Sequence, residues 1–401
     1  MNIGIFTDTY YPEINGVANL VFQLKKELES KGHNVYVFTV SNPEADKDEE
    51  HVFRMKSKAF FLLKERRVCY DLFSRWMPII ASLQLDLIHT QTEFTVGHIG
   101  RRAARFLDIP LIHTYHTIYE DYTHYFKIPG NENLKGAVRS FSRICCDHAD
   151  EVIAPTGKVK KLLEAYGVKN KIDILPTGID LNKFAFVSEK DVMELRKSLN
   201  LQDENHVLIS IGRLSQEKNL YQLIDYVHKV IRQDRNAGLV VVGDGPEREG
   251  LMAYAAELGI EDYVRFTGEV KWKQIQNYYA LGDVFVCNSN SETQGLTYIE
   301  ALASGKPILV RKDECLDDYL VQGENGYSYT NAEEFEYYYD ALFCCKEYLK
   351  MSEAARESAY NMSSAAFGDG MEIIYTDLIE QKNAGTEKGQ GLYGIFHPIA
   401  G

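Results

Sequence analysis

DVFVCNSNSETQGLTYIEALASGKPILVR (283–311) reads in succession as a buried strand, a polar loop, a helix and a second buried strand. Apolar β-rich runs bounded by turn residues, with helical periodicity between them, mark a βαβ unit, and such units build parallel sheets. The same cycle extends back through HVLISIGRL (206–214), a helix near 219–234, GLVVVGDG (238–245), a helix near 246–258 and VRFTGEV (264–270). An earlier series repeats it: NIGIFT (2–7), a helix near 17–31, NVYVFTV (34–40), LDLIHT (85–90), a helix near 96–107, PLIHTY (110–115), EVIAPT (151–156) and KIDILPT (171–177). The pattern predicts an α/β protein of two Rossmann-like, doubly wound domains, residues 1–186 and 187–365. A terminal helix over 366–384, with Met371, Ile374 and Leu378 at helical spacing, is expected to return to the first domain, followed by a loosely held glycine-rich tail (385–401).

Composition supports two cores. A chain of 401 residues exceeds what one hydrophobic core organises. Its net charge of −14 argues against nucleic acid, which needs clustered cations. No apolar run reaches the roughly 20 residues that span a bilayer, and NIGIFT at the start does not read as a secretory leader. Seven cysteines without a C-x-x-C suit reduced, buried thiols in a cytosol, not a metal site.

In open parallel sheets ligands bind beyond the carboxyl ends of the strands, so the loops after the strands should line one cleft between the domains. In TDTYYPEINGV (7–17), Gly16 opens a helix whose free N–H groups suit a phosphate; a plain strand-to-helix turn is the alternative. G-x-G-x-x-G is missing there, so a nicotinamide or flavin oxidoreductase lacks its fingerprint. IGRLSQEKN (211–219) sets Arg213 and Lys218 after a strand, a planar fork and a compact charge suited to a diphosphate, or else two solvated surface cations. GDGPERE (243–249), with Asp244 and Gly245, allows close backbone approach but is also a good turn.

The stretch 283–311 is the most specific of these. Glu292 precedes its helix and Glu300 lies about two turns along it, so the two carboxylates serve different places. Each can accept two hydroxyl hydrogen bonds, while the backbone around Thr293, Gln294, Gly295 and Leu296 offers N–H groups to a phosphate. Taken singly, each glutamate is equally an ordinary solvated carboxylate.

Loop by loop, NGV, HTYHT, GR followed by EKN, GDGP, FTGEV and SETQGLTYIEALASGKP resemble the retaining family 4 glycosyltransferases of the GT-B class, over residues 1–384 in order. The resemblance implies two Rossmann-like domains facing across a cleft. It also implies that Gly16 lies against the donor diphosphate, that Arg213 and Lys218 neutralise it, and that Glu292 holds the transferred hexose. Glu300 would hold the ribose, Val270 would border the base, and His116 would contact the hexose and the reaction centre. IGIFTDTYYPEINGV, IHTQTEF, PLIHTYHTIYEDYTHY and KDECLDDYLVQGENGY are similar to bacterial enzymes that transfer glucose, or in some members galactose, from a uridine diphosphate (UDP) sugar to 1,2-diacylglycerol. On that resemblance Asp8 and Asp121 are acceptor-side residues. KIPGNENLKGAVRSFSR (127–143) and the glycine-rich tail depart from the pattern and leave the acceptor open.

Charge developing on the β-phosphate must be stabilised as the glycosidic bond breaks. Arg213, Lys218 and the helix start at 294–296 would do so without a cofactor or metal. The one D-x-D, Asp46-Lys47-Asp48, sits in the acidic run PEADKDEE (43–50) and reads as a solvated loop.

Charge is unevenly distributed. Residues 1–186 carry 24 basic and 23 acidic side chains and the remainder 20 and 35. RMKSKAFFLLKERRVCYDLFSR (54–75) interleaves Arg54, Lys56, Lys58, Lys64, Arg66, Arg67 and Arg75 with Phe60, Phe61, Leu62 and Leu63, as an interfacial segment would. A packed amphipathic element with a solvated basic face is the alternative. The expectation is a cytoplasmic enzyme attached peripherally to the inner face of the cell membrane. Another acceptor on the same fold stays open as the alternative, whereas a non-catalytic sugar-binding protein is disfavoured because Arg213, Lys218, Glu292 and Glu300 occur together.

Overall fold

A computed structural model describes residues 1–13, 15–45, 49–60, 67–121, 131–201, 206–233, 236–344 and 348–393. The chain divides into two compact units, Met1–Gly178 with the chain from Ser364 onward, and Ile179–Ser363.

The first unit runs β1 (Asn2–Phe6), α1 (Gly16–Ser30), β2 (Asn34–Val40), β3 (Val52–Met55), the short antiparallel pair β4 (Ser57–Ala59) and β5 (Arg67–Cys69), and α2 (Phe73–Ser82). It continues with β6 (Leu87–Thr90), α3 (Thr95–Leu107), β7 (Leu111–Thr114), α4 (Asn131–Asp147), β8 (Glu151–Ala154), α5 (Gly157–Ala165) and β9 (Lys171–Ile174). Seven strands form a parallel sheet in the order β3-β2-β1-β6-β7-β8-β9. Alternate residues of a strand face opposite sides. Accordingly, Ile3 and Ile5 enter a core with Leu20, Leu24 and Leu28 of α1, whereas Phe6 joins Ile80 of α2 and Ile99 of α3 on the other face. The first of these cores is completed by Phe367, Met371, Tyr375 and Leu378.

The second unit runs α6 (Leu181–Ala185), α7 (Glu189–Ser198), β10 (His206–Ile211), α8 (Leu220–Gln233), β11 (Ala237–Val242), α9 (Arg248–Glu257), β12 (Val264–Phe266) and α10 (Ile275–Leu281). It ends with β13 (Val284–Cys287), α11 (Leu296–Ala303), β14 (Ile308–Arg311), β15 (Gly326–Tyr329), α12 (Ala332–Cys344) and α13 (Tyr348–Ser358), before α14 (Ser364–Tyr393) returns to the first unit. Its six-stranded parallel sheet is ordered β12-β11-β10-β13-β14-β15. Val207 and Ile209 of β10 face α10 and α11, while Leu208 faces α8.

Both sheets are doubly wound, as the alternation predicts. The division between units falls after Gly178, not at residue 186, because α6 seats Phe184 edge-on against Tyr279, with ring centroids 5.6 Å apart. Helix α14 also continues to Tyr393, through the first part of the stretch set apart as a tail. Strands β3 and β15 have no counterpart in the sequence reading. GYSY (326–329) is short and polar, and VFRM (52–55) lies at the sheet edge, so neither shows a long buried run. Cys69, Cys145, Cys146, Cys287 and Cys315 are free and buried.

Candidate functional site

In the second unit the strand order reverses between β10 and β13, which makes the loops after these strands the ligand-binding position of a doubly wound sheet. The two loops are stitched together: Asn290 N–H donates to the Glu217 carbonyl at 2.9 Å, and Asn288 Nδ2 to the Asn219 carbonyl at 3.3 Å. That stitching brings Lys218 Nζ within 2.5 Å of Glu292 Oε1. Arg213 is exposed on the first of these loops.

The loops after β10 and β11 approach so closely that side chains are excluded. A Cβ on Gly243 would stand 1.9 Å from the Gly212 carbonyl oxygen, and one on Gly245 2.3 Å from that of Leu214. Asp244 accepts from Gly245 N–H at 2.7 Å and from Arg248 at 3.3 Å, so it stiffens this turn. Gly295 precedes α11 in the left-handed region, φ +75°, and no side chain caps the helix. Four backbone N–H groups at a helix start lack intrahelical partners, so α11 offers donors and a positive dipole end beside Glu292, Thr293 and Leu296. Gln294 is buried, its carbonyl accepting from Tyr319 Oη at 2.8 Å.

Glu300 lies further along α11 and is buried. Tyr279 Oη donates to its Oε2 at 2.6 Å. Burial pushes the carboxyl up to about 7, against the lowering effects of the Tyr279 hydrogen bond and the Lys183 charge. Lys183 Nζ is buried without a hydrogen-bond partner and sits 3.1 Å from the centroid of the Trp272 ring. Val270 packs beside Trp272 on the same core. Lys183 and Trp272 are the residues that sequence reasoning missed. The lysine lies in a short helix at the domain junction, with no glycine or loop signature to mark it.

In the first unit the strand order reverses between β1 and β6. Gly16 is exposed at the start of α1, where Asn15 Oδ1 accepts from Ala18 N–H at 2.9 Å. Asp8, expected on the acceptor side, instead spends both carboxylate oxygens within the protein. Oδ2 accepts from Thr92 Oγ1 at 2.6 Å, and Oδ1 from Thr95 Oγ1 and, at 2.9 Å, from Val96 N–H at the start of α3. Its role is to fix that loop and helix. His116 follows β7 and its Nε2–H donates to Gln91 Oε1 at 2.7 Å. Burial pushes its pKa down to about 4, with the Glu93 charge working against the shift and His113 adding to it. The ring is therefore neutral at pH 7, leaving Nδ1 as an acceptor. Behind it, His89 hydrogen-bonds Tyr375 of α14 at 2.6 Å and Thr114 at 2.7 Å. Asp121 is exposed after a turn.

The basic segment divides. Arg54 is turned inward, donating to the Tyr11 carbonyl at 2.8 Å and to Glu49 at 3.3 Å, and Arg67 donates to Ser57 Oγ and its carbonyl at 2.9 and 3.0 Å. Both hold β-structure together and do not present a free guanidinium. Lys56 and Lys58 are exposed, with Tyr70 and Leu72 55% and 70% exposed nearby in sequence. Lys64, Arg66 and the Asp46-Lys47-Asp48 run lie outside the described residues. Among the described residues, no three His, Cys, Asp or Glu side chains gather as a metal site, and no helix is long and apolar enough to cross a membrane.

Two doubly wound sheets, each with its polar loops at the reversal of strand order, define the class: a GT-B glycosyltransferase. Residues 14–183 match Glycosyltransferase Family 4 and residues 191–362 match Glycosyl transferases group 1. The chain is 38% identical over 388 residues to the alpha-monoglucosyldiacylglycerol synthase of Streptococcus pneumoniae, covering 96% of this chain and 87% of the relative. It is 31% identical over 398 residues to the enzyme of the same name from Acholeplasma laidlawii, covering 96% and 98%. In solved structures it superposes on Anabaena HepE in complex with UDP, TM-score 0.75 at 19% identity, covering 94% and 100% of the two chains. Sucrose-phosphate synthase from Thermosynechococcus elongatus gives TM-score 0.75 at 20% identity, covering 95% and 100%. The chain belongs to the glycosyltransferase family that contains the alpha-monoglucosyldiacylglycerol synthases.

Proposed function

We propose that this enzyme transfers a hexose, with glucose the leading candidate, from a UDP-sugar to the free hydroxyl of 1,2-diacylglycerol, with retention at the anomeric carbon. The observation that carries this reading is the Lys218–Glu292 pair beside the uncapped start of α11, at the reversal of the sheet. The lysine and the helix start suit a diphosphate and the carboxylate suits sugar hydroxyls. The names of the relatives supply the acceptor and the glucose.

In the reaction, the bond between the anomeric carbon and the β-phosphate oxygen breaks. The acceptor oxygen bonds to that carbon on the same face, and its proton leaves on the departing phosphate. Arg213, Lys218 and the α11 N–H groups stabilise the charge gathering on the β-phosphate, a type of electrostatic assistance worth roughly 2.7–4 kcal/mol per donor. Glu292 orients the hexose, and neutral His116 offers a hydrogen-bond acceptor to it. Gly16 takes the donor diphosphate, Glu300 the ribose, and Val270 borders the base. Catalysis on this reading needs no metal. Exposed Lys56 and Lys58, with Tyr70 and Leu72, support peripheral attachment to an anionic leaflet on the cytoplasmic side.

The deciding experiment supplies a panel of nucleotide sugars with diacylglycerol in mixed micelles and identifies the lipid product by mass and by anomeric proton coupling. A hexosyl diacylglycerol of α configuration formed from UDP-glucose is expected. Release of UDP with transfer only to another acceptor, or tight binding without turnover, would overturn the reading.

A further inference from the structure

The three donors of the Lys183 ammonium are unused. Its nitrogen is buried, bonds to no oxygen and rests on the face of Trp272 at 3.1 Å from the ring centroid. Taking an ammonium out of water without hydrogen bonds is costly, and a cation–π contact restores only part of the loss. An ammonium held this way has its effect through its field. Burial lowers its pKa to about 8, with the charges of Glu300 and Asp180 working against that shift, and α6 packs against α11; the hydrogen-bond partner of Glu300 is the neutral Tyr279 hydroxyl of α10. One Glu300 oxygen accepts from that hydroxyl; the second, Oε1, makes no hydrogen bond in the structure and is left for a ligand.

We infer that Lys183 is a positioning residue for the nucleotide: its charge favours the ionised form of Glu300, in which Oε1 and Oε2 together can accept both hydroxyls of a ribose. This rests on the reading of Glu300 as the ribose-holding carboxylate. A protonated carboxyl would turn one acceptor into a donor and replace charge-assisted hydrogen bonds to the ribose with weaker neutral ones. The charged and titratable surroundings are few. Lys183 comes from α6, where Asp180 at the helix start also favours its ammonium. Tyr279 comes from α10, with Cys287 of β13 beside it. Arg356 of α13 stands at the far end of α11, against Gly305. Lys183 is thus the cation that acts on Glu300. With it in place, burial still lifts the carboxyl to about 7, so its removal would leave Glu300 mostly protonated at neutral pH.

The test is the pH dependence of UDP binding, measured by calorimetry from pH 6 to pH 9 on the full chain with UDP alone. Lys183→Met is expected to weaken binding at pH 7 by roughly fivefold, because a one-unit rise in a carboxyl pKa of about 7 takes the ionised fraction from about half to about a tenth. Its affinity should recover to near the wild-type value by pH 9, because the acid limb has moved to higher pH and the contacts are intact. Lys183→Arg keeps the charge and should keep the wild-type limb, so a folding defect in the methionine variant would not leave the matter open. Glu300→Gln should bind weakly at every pH. If Glu300→Gln binds UDP as the wild type does, the ribose reading itself fails. If that variant is weak but Lys183→Met shows a limb like the wild type's, or a loss that pH 9 does not repair, the role given to Lys183 is wrong.

Discussion

Lys218 Nζ and Glu292 Oε1 stand 2.5 Å apart across 74 residues of sequence. The pair is partly exposed, so its own contribution to stability is small, below about 1 kcal/mol, while its ends address two parts of one donor. Glu292→Ala and Lys218→Ala should each lower turnover by roughly a hundredfold or more. Their melting temperatures should move by no more than about 2–4 °C. Turnover within about threefold of wild type in either variant would remove that residue from the site. The double variant should lose less than the product of the single losses, since the two side chains are in contact.

Gly295 has φ +75°, and a Cβ there would stand 2.6 Å from the Tyr298 ring, itself buried in the core. Gly295→Ala should therefore displace the start of α11. We expect a loss of about 1–3 kcal/mol in stability, the usual size for strain at such a backbone position, with weaker UDP binding. Thr297→Ala, two residues on and without that constraint, serves as the comparison. Equal UDP affinity in wild type and Gly295→Ala would show that the helix start does not hold phosphate.

His89 and His116 are both depressed by burial, His116 to about 4 from an ordinary 6.5. Between these values the unfolded chain binds protons that the folded chain refuses, so stability rises with pH. The contribution is fully present above about 6.5 and is lost as pH falls through the folded value, by roughly 1.4 kcal/mol per pH unit for each group. Glu300 has the opposite sign: its raised value, about 7 against 4.5, gives stability that is present below 4.5 and lost as pH rises through 7. Urea melts between pH 4.5 and 7.5 check both. His116→Gln should flatten the acid-side fall of the first unit and Glu300→Gln should remove the opposing slope of the second; unchanged slopes would contradict these environments.

Lys56, Lys58 and Arg75 are the exposed cations of the basic segment among the described residues, and Arg75 stands 3.6 Å from Asp71. Replacing both lysines with glutamine should weaken binding to vesicles containing anionic lipid several-fold at low salt, with the difference shrinking as salt screens it. Arg54→Gln should act through stability instead, because its partners are Glu49 and the Tyr11 carbonyl. Vesicle sedimentation and thermal melting separate the two effects. Equal binding by wild type and the double glutamine variant would remove this face from any membrane role.

Much of this was legible before any coordinates. Strands buried on both faces write themselves as apolar runs, so β1, β10, β11 and β13 are plain, and the glycines at 243, 245 and 295 mark loops where backbones meet. Residues whose role depends on a distant partner were not legible in that way. Asp8 looks like a loop carboxylate until Thr92 and Thr95 arrive from the loop after β6 and the start of α3. Arg54 and Arg67 look like lipid-facing cations until Glu49 and Ser57 claim them. Lys183 gains its meaning only when α6 packs beside α11 and sets an unsolvated charge near Glu300.

Helix α14 closes the core that β1 and α1 opened. Phe367, Met371, Tyr375 and Leu378 together supply roughly 6–12 kcal/mol of apolar burial, at about 1.5–3 kcal/mol each, which is comparable with the whole stability of a domain. During translation, Ile179–Ser363 must be synthesised before those residues are made. At about 5–20 residues per second that interval is roughly 10–40 s. Throughout it, the face of the first sheet bearing Ile3, Ile5 and Val37 is covered by α1 but waits for the share of its cover that α14 supplies. The domain begun first is the one finished last.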